Sequence, residues 1–131
     1  MNSKNAPLAP TLWRTFRVLA SPTRLNCLKT VLKQPDSTVK QVAKMVRISE
    51  AQASLALRAL QSRGLLSARR QSRWVLYTPD ADDSVVSAAS VLSAMKSALL
   101  DDSVAETKII SAVTAYTHPR RLEIVRALAF S

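Results

Sequence analysis

Between Lys40 and Arg73 the chain carries a series of side chains suited to holding a polyanion: Lys40, Lys44, Arg47, Ser49, Gln52, Ser54, Arg58, Arg69, Arg70 and Arg73. Ammonium and guanidinium groups neutralise phosphates, serine hydroxyls donate to phosphate oxygens, and a glutamine carboxamide can pair with the edge of adenine. The charge distribution points the same way. Up to Pro79 there are 14 basic and 2 acidic residues, against 5 and 7 from Asp80 onward, and the net charge is +10. A basic first part joined to a near-neutral remainder implies one segment that meets a polyanion and another with a separate task.

Other chemistries find little to work with. Gly64 is the one glycine, so no glycine-rich loop can wrap the phosphates of a nucleotide. Cys27 is the one cysteine and His118 the one histidine, which excludes an internal disulfide and a cluster of soft metal ligands. Cys27 falls on the apolar stripe of a helix and reads as a small buried residue. His118, ahead of Pro119, reads as a helix cap or surface group. The pairs Asp82–Asp83 and Asp101–Asp102 read as loop and helix-start acids rather than as a catalytic pair. The expectation is a binding protein with no catalytic residue, cofactor or metal. Residues 1–10 lack the apolar core of a signal peptide, and no stretch approaches the roughly 18 apolar residues of a membrane span. A cytoplasmic protein that does not enter membranes is the expectation.

The elements that must position these residues can be read from periodicity and caps. Residues 1–10 read as a flexible leader. Thr11 is placed to cap a first helix with Leu12, Phe16 and Leu19 at i, i+4, i+7, widened by Trp13 and Val18. Ser21 and Pro22 start a second helix lined by Leu25, Leu28, Val31 and Leu32. Thr38 to Gln41 is a capping box for a short helix burying Val42, Ala43 and Val46, and Ser49 to Gln52 is a second box opening a helix to about Arg63. On that helix Ala53, Leu57 and Leu60 share one side, so Ala51, Leu55, Arg58 and Ser62 face the other way. Gly64 ends it. Leu65, Leu66 and Trp74 to Tyr77 are strand formers bracketing a basic stretch, which predicts a hairpin with Arg69, Arg70 and Arg73 at its tip and Trp74 and Tyr77 in its core. Beyond Pro79 the spacing predicts a helix over 84–100 with Val85, Ala88, Leu92, Met95 and Leu99 on one side. A third capping box, Ser103 to Glu106, then opens a helix to about Tyr116. The fold class is mainly α with a small β-hairpin.

The succession helix, helix, two tightly joined helices, hairpin is that of a winged helix-turn-helix. Residues 20–78 resemble the ArsR-type winged helix-turn-helix regulators. Ala20-Ser21-Pro22-Thr23-Arg24-Leu25 is similar to that family's opening "ADPTR" segment, Val39 to Leu65 to its helix-turn-helix, and Trp74 to Tyr77 to its returning wing strand. Arg47 stands where the family commonly has a glycine in the turn, and Ser72 replaces the usual glycine at the wing tip. The family's metal-sensing cysteine pairs and His/Asp/Glu sets have no counterpart here.

The resemblance implies a winged helix-turn-helix DNA-binding domain over 11–79 and a C-terminal helical extension over 80–131. It implies a homodimeric transcriptional regulator on double-stranded DNA, with recognition helix 49–63 in the major groove and basic wing 67–77 on the backbone. A small-molecule effector is compatible with this reading, and no residue identifies one. The flanking helices then form the dimer seam, through Leu12, Trp13, Phe16, Val85, Leu92, Met95 and Leu99; the alternative is that these residues are an intrachain core. Thr117 to Leu122 repeats the Ala20 to Leu25 pattern, matching Pro119, Arg121 and Leu122 with Pro22, Arg24 and Leu25, so residues 103–129 resemble a half-copy of the first two helices. A rival function is a protein-interaction module in which Ala51 and Leu55 dock a partner without sequence-specific DNA binding. RNA binding ranks third, for want of exposed aromatics.

Overall fold

The computed structural model describes residues 8–85 and 87–115. In chain order these form α1 (Leu8–Leu19), α2 (Pro22–Lys33), α3 (Val39–Val46), α4 (Glu50–Ser62), β1 (Ser67–Gln71), β2 (Trp74–Thr78), α5 (Ala88–Leu99) and α6 (Glu106–Ala115). The first helix begins three residues before the start expected at Thr11. Pro10 permits this because it falls in the first turn, where a missing N–H removes no intrahelical bond.

Helices α2, α3 and α4 pack on one another around Leu25, Leu28, Val31, Val42, Ala53, Leu57 and Leu60, all fully or almost fully buried. Burying each leucine contributes about 1.5–3 kcal/mol, so this three-helix centre carries much of the stability. Local chemistry sets the helix starts. The Ser21 hydroxyl accepts from the Arg24 N–H at 3.4 Å, with Pro22 at the first helical position. Both capping boxes form as the sequence indicates, Thr38 with Gln41 and Ser49 with Gln52. Between α3 and α4 the chain turns through Arg47 in the left-handed conformation, φ 66° and ψ 49°, and the N–H groups of Arg47 and Ile48 both donate to the Ala43 carbonyl. The Cβ that glycine lacks makes this conformation cost roughly 1 kcal/mol or more.

The hairpin is antiparallel with Gln71 opposite Trp74 and Ser67 opposite Thr78. Ser72 takes a positive φ of 58° in its two-residue turn. Ser37 exchanges two backbone hydrogen bonds with Tyr77, so a single residue before α3 pairs with the outer side of β2. Tyr77 is buried and Val75 packs against the core on the same face. Trp74, expected in the core, lies on the opposite face and is 46% exposed, because alternation along β2 gives the inner face to Val75 and Tyr77.

Gly64 terminates α4 with φ +75°, and its carbonyl accepts from the Asp82 N–H at 2.9 Å. Helix α5 starts at Ala88 rather than at Ser84, since Val85 is drawn against Gly64 and Ser87 turns through φ 68°. The third capping box does not form. Ser103 instead donates through both N–H and hydroxyl to the Asp101 carboxylate, and α6 begins only at Glu106. Asp82 and Ser84 repeat that arrangement, so the two Asp-Asp-Ser-Val stretches adopt the same local turn. In each, the serine donors hold the aspartate pKa below its ordinary value.

Helix α6 lies against α1 and α5, with Ile109 and Val113 buried alongside Leu92, Met95 and Leu99. The last three were expected at a seam between subunits. They belong instead to the core of the single chain, because α5 is roofed by α6. Ala88 is buried, and Leu12 and Phe16 pack partly buried against this core. The expected segment at Thr117 to Leu122, with His118, lies outside the described residues. Among the described residues no helix is long and apolar enough to cross a membrane, and no group of His, Cys, Asp or Glu could hold a metal ion.

Candidate nucleic-acid interface

Helix α4 turns its apolar side inward through Ala53, Ala56, Leu57 and Leu60, which leaves Ala51, Gln52, Leu55, Arg58 and Ser62 on the exposed side. Leu55 is 68% exposed, the most exposed of the large apolar side chains among the described residues. Ser54 is half-buried. Arg58 is exposed and, among the described residues, pairs with no acid.

Ser49 and Gln52 are committed to the helix start. The Gln52 Oε1 accepts from the Ser49 N–H at 3.1 Å and lies 3.2 Å from the Ser49 hydroxyl, while that hydroxyl accepts from the Gln52 N–H at 3.0 Å. A two-bond contact to adenine needs both ends of the carboxamide. With the oxygen engaged in the cap, the Gln52 amide nitrogen is left as the donor to a groove.

Lys40, Lys44 and Arg47 are exposed along α3 and the turn, and among the described residues none has an acid partner. On the hairpin, Arg69 and Arg70 sit within β1, so the basic tip expected from the sequence is reduced to Arg73. Strand alternation sends Arg69 and Arg70 to opposite faces. Arg69 is tied down: its guanidinium lies 3.2 Å from the Asp36 carboxylate, with its Nε donating to the same oxygen at 3.3 Å. Arg73 stacks over the Trp74 ring at 5.0 Å from the centroid. Arg70 is exposed and unpaired among the described residues. The signal for the Asp36 contact spans 33 positions, and nothing local in the sequence announces it.

The other buried polar group of interest is Cys27, fully shielded on the inner face of α2, where burial raises its thiol to about 11. A thiol held neutral is a poor nucleophile and metal ligand, in keeping with its reading as a small core residue.

This arrangement of helices and hairpin recurs in solved structures. The homodimeric winged helix-turn-helix DNA-binding domain Mb0332 from Mycobacterium bovis superposes with a TM-score of 0.59 at 25% identity, covering 74% of this chain and 85% of that one. The fold is a winged helix-turn-helix. NolR from Sinorhizobium fredii is similar at TM-score 0.54 and 25% identity, over 72% of this chain and 93% of its own. Reduced HlyU from Vibrio cholerae is similar in fold at TM-score 0.55 and 22% identity, over 72% of this chain and 88% of its own. No family model and no curated protein matches the sequence. In winged-helix terms α3 and α4 are the helix-turn-helix and the hairpin is the wing.

Proposed function

We propose that this chain is a DNA-binding transcriptional regulator of ArsR-like type that acts as a homodimer, with recognition helix 49–63 in the major groove and wing 67–77 along the backbone. The observation that carries the reading is the exposed side of α4, presented beside exposed cations on α3 and the wing that no acid among the described residues neutralises. Arg58 supplies a groove contact, Ser54 and Ser49 phosphate contacts, and Lys40, Lys44, Arg47, Arg70 and Arg73 neutralise the backbone. Arg69 joins them when it leaves Asp36. The homodimeric state named for the Mycobacterium bovis domain supports pairing here. Two-fold symmetry would set two recognition helices about 34 Å apart, one helical turn of DNA. Leu12, Trp13, Phe16 and Val85 retain partial exposure and remain available to such a seam.

With Ala51 and Leu55 at the centre of the recognition face, apolar contact with thymine methyl groups replaces hydrogen-bond readout there, and sequence discrimination is modest. The same exposed Leu55 favours a second reading, a protein-interaction module docked through α4. Duplexes selected from a random pool, with binding followed by fluorescence anisotropy at several salt concentrations, separate the two. DNA binding predicts an inverted repeat and a log–log salt slope of about −0.9 per neutralised phosphate; apolar docking predicts neither. Affinity independent of salt would overturn the proposal.

A further inference from the structure

A groove of about 610 Å³ runs between α3 and the wing, lined by Asp36, Thr38, Lys40, Gln41, Lys44, Gln71, Ser72, Trp74 and Leu76. Its volume lies within the range of small-ligand sites, roughly 300–1,000 Å³. One wall is cationic. Lys40 and Lys44 are four residues apart on α3, so they project from the same side and repel one another. Neither has an acid partner among the described residues, and the carboxylate at the rim, Asp36, is already held by Arg69. The other wall is apolar and flat: Trp74 and Leu76 alternate with the core residues Val75 and Tyr77 and so face the groove together. Gln41 adds a donor. Its Oε1 accepts from the Thr38 N–H at 2.9 Å, which leaves the amide nitrogen without a partner among the described residues.

We propose that this groove binds a small planar aromatic carboxylate, its ring against Trp74 and Leu76 and its carboxylate between Lys40 and Lys44. Arg73 stacks on the Trp74 ring without lining the groove; inorganic phosphate or a DNA phosphate would satisfy the lysines and leave the groove side of the indole uncovered, and an uncharged aromatic would do the reverse. A single small molecule with both features uses both walls. The consequence rests on the proposed DNA function: a carboxylate bound there occupies two of the cations assigned to the DNA backbone and cancels one of their two charges, so it loosens the protein from its operator.

The test uses the full chain carrying Trp13→Phe, which leaves Trp74 as the reporting tryptophan. Titration with 4-nitrobenzoate should quench Trp74 fluorescence saturably, with a Kd on the order of 1 mM or tighter for so small a ligand. The Lys40→Gln/Lys44→Gln variant should bind at least tenfold more weakly, and so should the uncharged 4-nitrobenzyl alcohol on the parent chain. Calorimetry on the chain with both tryptophans gives the same constant without dependence on the Trp13 substitution. Quenching that stays linear with concentration, or that is equal for the alcohol or for the double variant, overturns the site. In a second arm, 4-nitrobenzoate should raise the Kd for a labelled duplex severalfold in the parent chain and have no such effect in Trp74→Leu, which removes the aromatic wall and keeps both lysines assigned to the backbone. An unchanged Kd in the parent overturns the competition. A duplex that fails to bind before any probe is added overturns the proposed function instead, while the quenching result stands.

Discussion

Ser49 and Gln52 hold each other at the head of α4, each backbone N–H donating to the other's side chain at 3.0–3.1 Å. The residue that starts the helix is thus also a residue assigned to the DNA. Ser49→Ala should lower stability by about 1 kcal/mol through loss of the cap. Ser49→Asp should preserve the cap, since aspartate accepts the same N–H and suits the helix N-terminus, yet weaken DNA binding by placing a negative charge against phosphate. Urea unfolding and anisotropy measured on both variants separate the two roles, and equal DNA affinity for Ser49→Asp and the parent would remove Ser49 from the interface.

Asp36 restrains Arg69 across an exposed pair at 3.2 Å. Pairs of this kind contribute about 0–1 kcal/mol, and Asp36→Asn removes the charge while keeping a residue type that tolerates the φ of 64° at this position, so it should change stability very little. It should tighten DNA binding and steepen the log–log salt slope by about 0.9, one added phosphate contact. An unchanged slope would show that Arg69 stays off the duplex.

At Gly64 an added Cβ would approach the Val85 Cβ to 2.8 Å and the Ala88 Cβ to 3.1 Å, in a backbone with φ +75°. Gly64→Ala combines left-handed strain with overpacking and should cost roughly 2–4 kcal/mol. Thermal unfolding reads this directly; a loss well under 1 kcal/mol would mean the link before α5 yields easily.

Cys27 is buried neutral, with its thiol raised from 9.0 to about 11. The folded state therefore keeps the proton more tightly than the unfolded chain. The stability this contributes is complete below pH 9 and is lost as pH rises through 9 toward 11. Cys27→Ala should flatten that part of the stability–pH curve, and a thiol reagent should modify the parent only as fast as the chain opens.

Leu92 is 7% exposed among Met95, Leu99, Ile109 and Val113. Leu92→Glu should unfold the chain or cost it upward of about 3 kcal/mol, because a charge would be buried without a partner. A well-folded monomer from this variant, seen by light scattering and circular dichroism, would return Leu92 to the seam between subunits.

What the sequence made legible was what short-range chemistry decides. The boxes at Thr38–Gln41 and Ser49–Gln52 each lie within four residues, and the inner faces of α2 and α4 follow from spacing alone. The misplaced features depend on distant partners or on local rivals. Ser103 had two acids within reach in sequence and bonded Asp101 upstream rather than capping a helix downstream. The start of α5 depends on the space beside Gly64, and the outward turn of Trp74 depends on strand register. Arg69 looks available to DNA as a residue type; its engagement with Asp36, 33 positions away, appears only in three dimensions.

The left-handed turns at Ser72 and Ser87 have a bearing on heat tolerance. Both lie outside the packed interior, and asparagine adopts this conformation more readily than serine. Ser72→Asn and Ser87→Asn would each relieve about 0.5 kcal/mol, a few degrees of melting temperature in a domain this small. A laboratory seeking a hardier version of the molecule could begin at its loops and leave every interior side chain as it is.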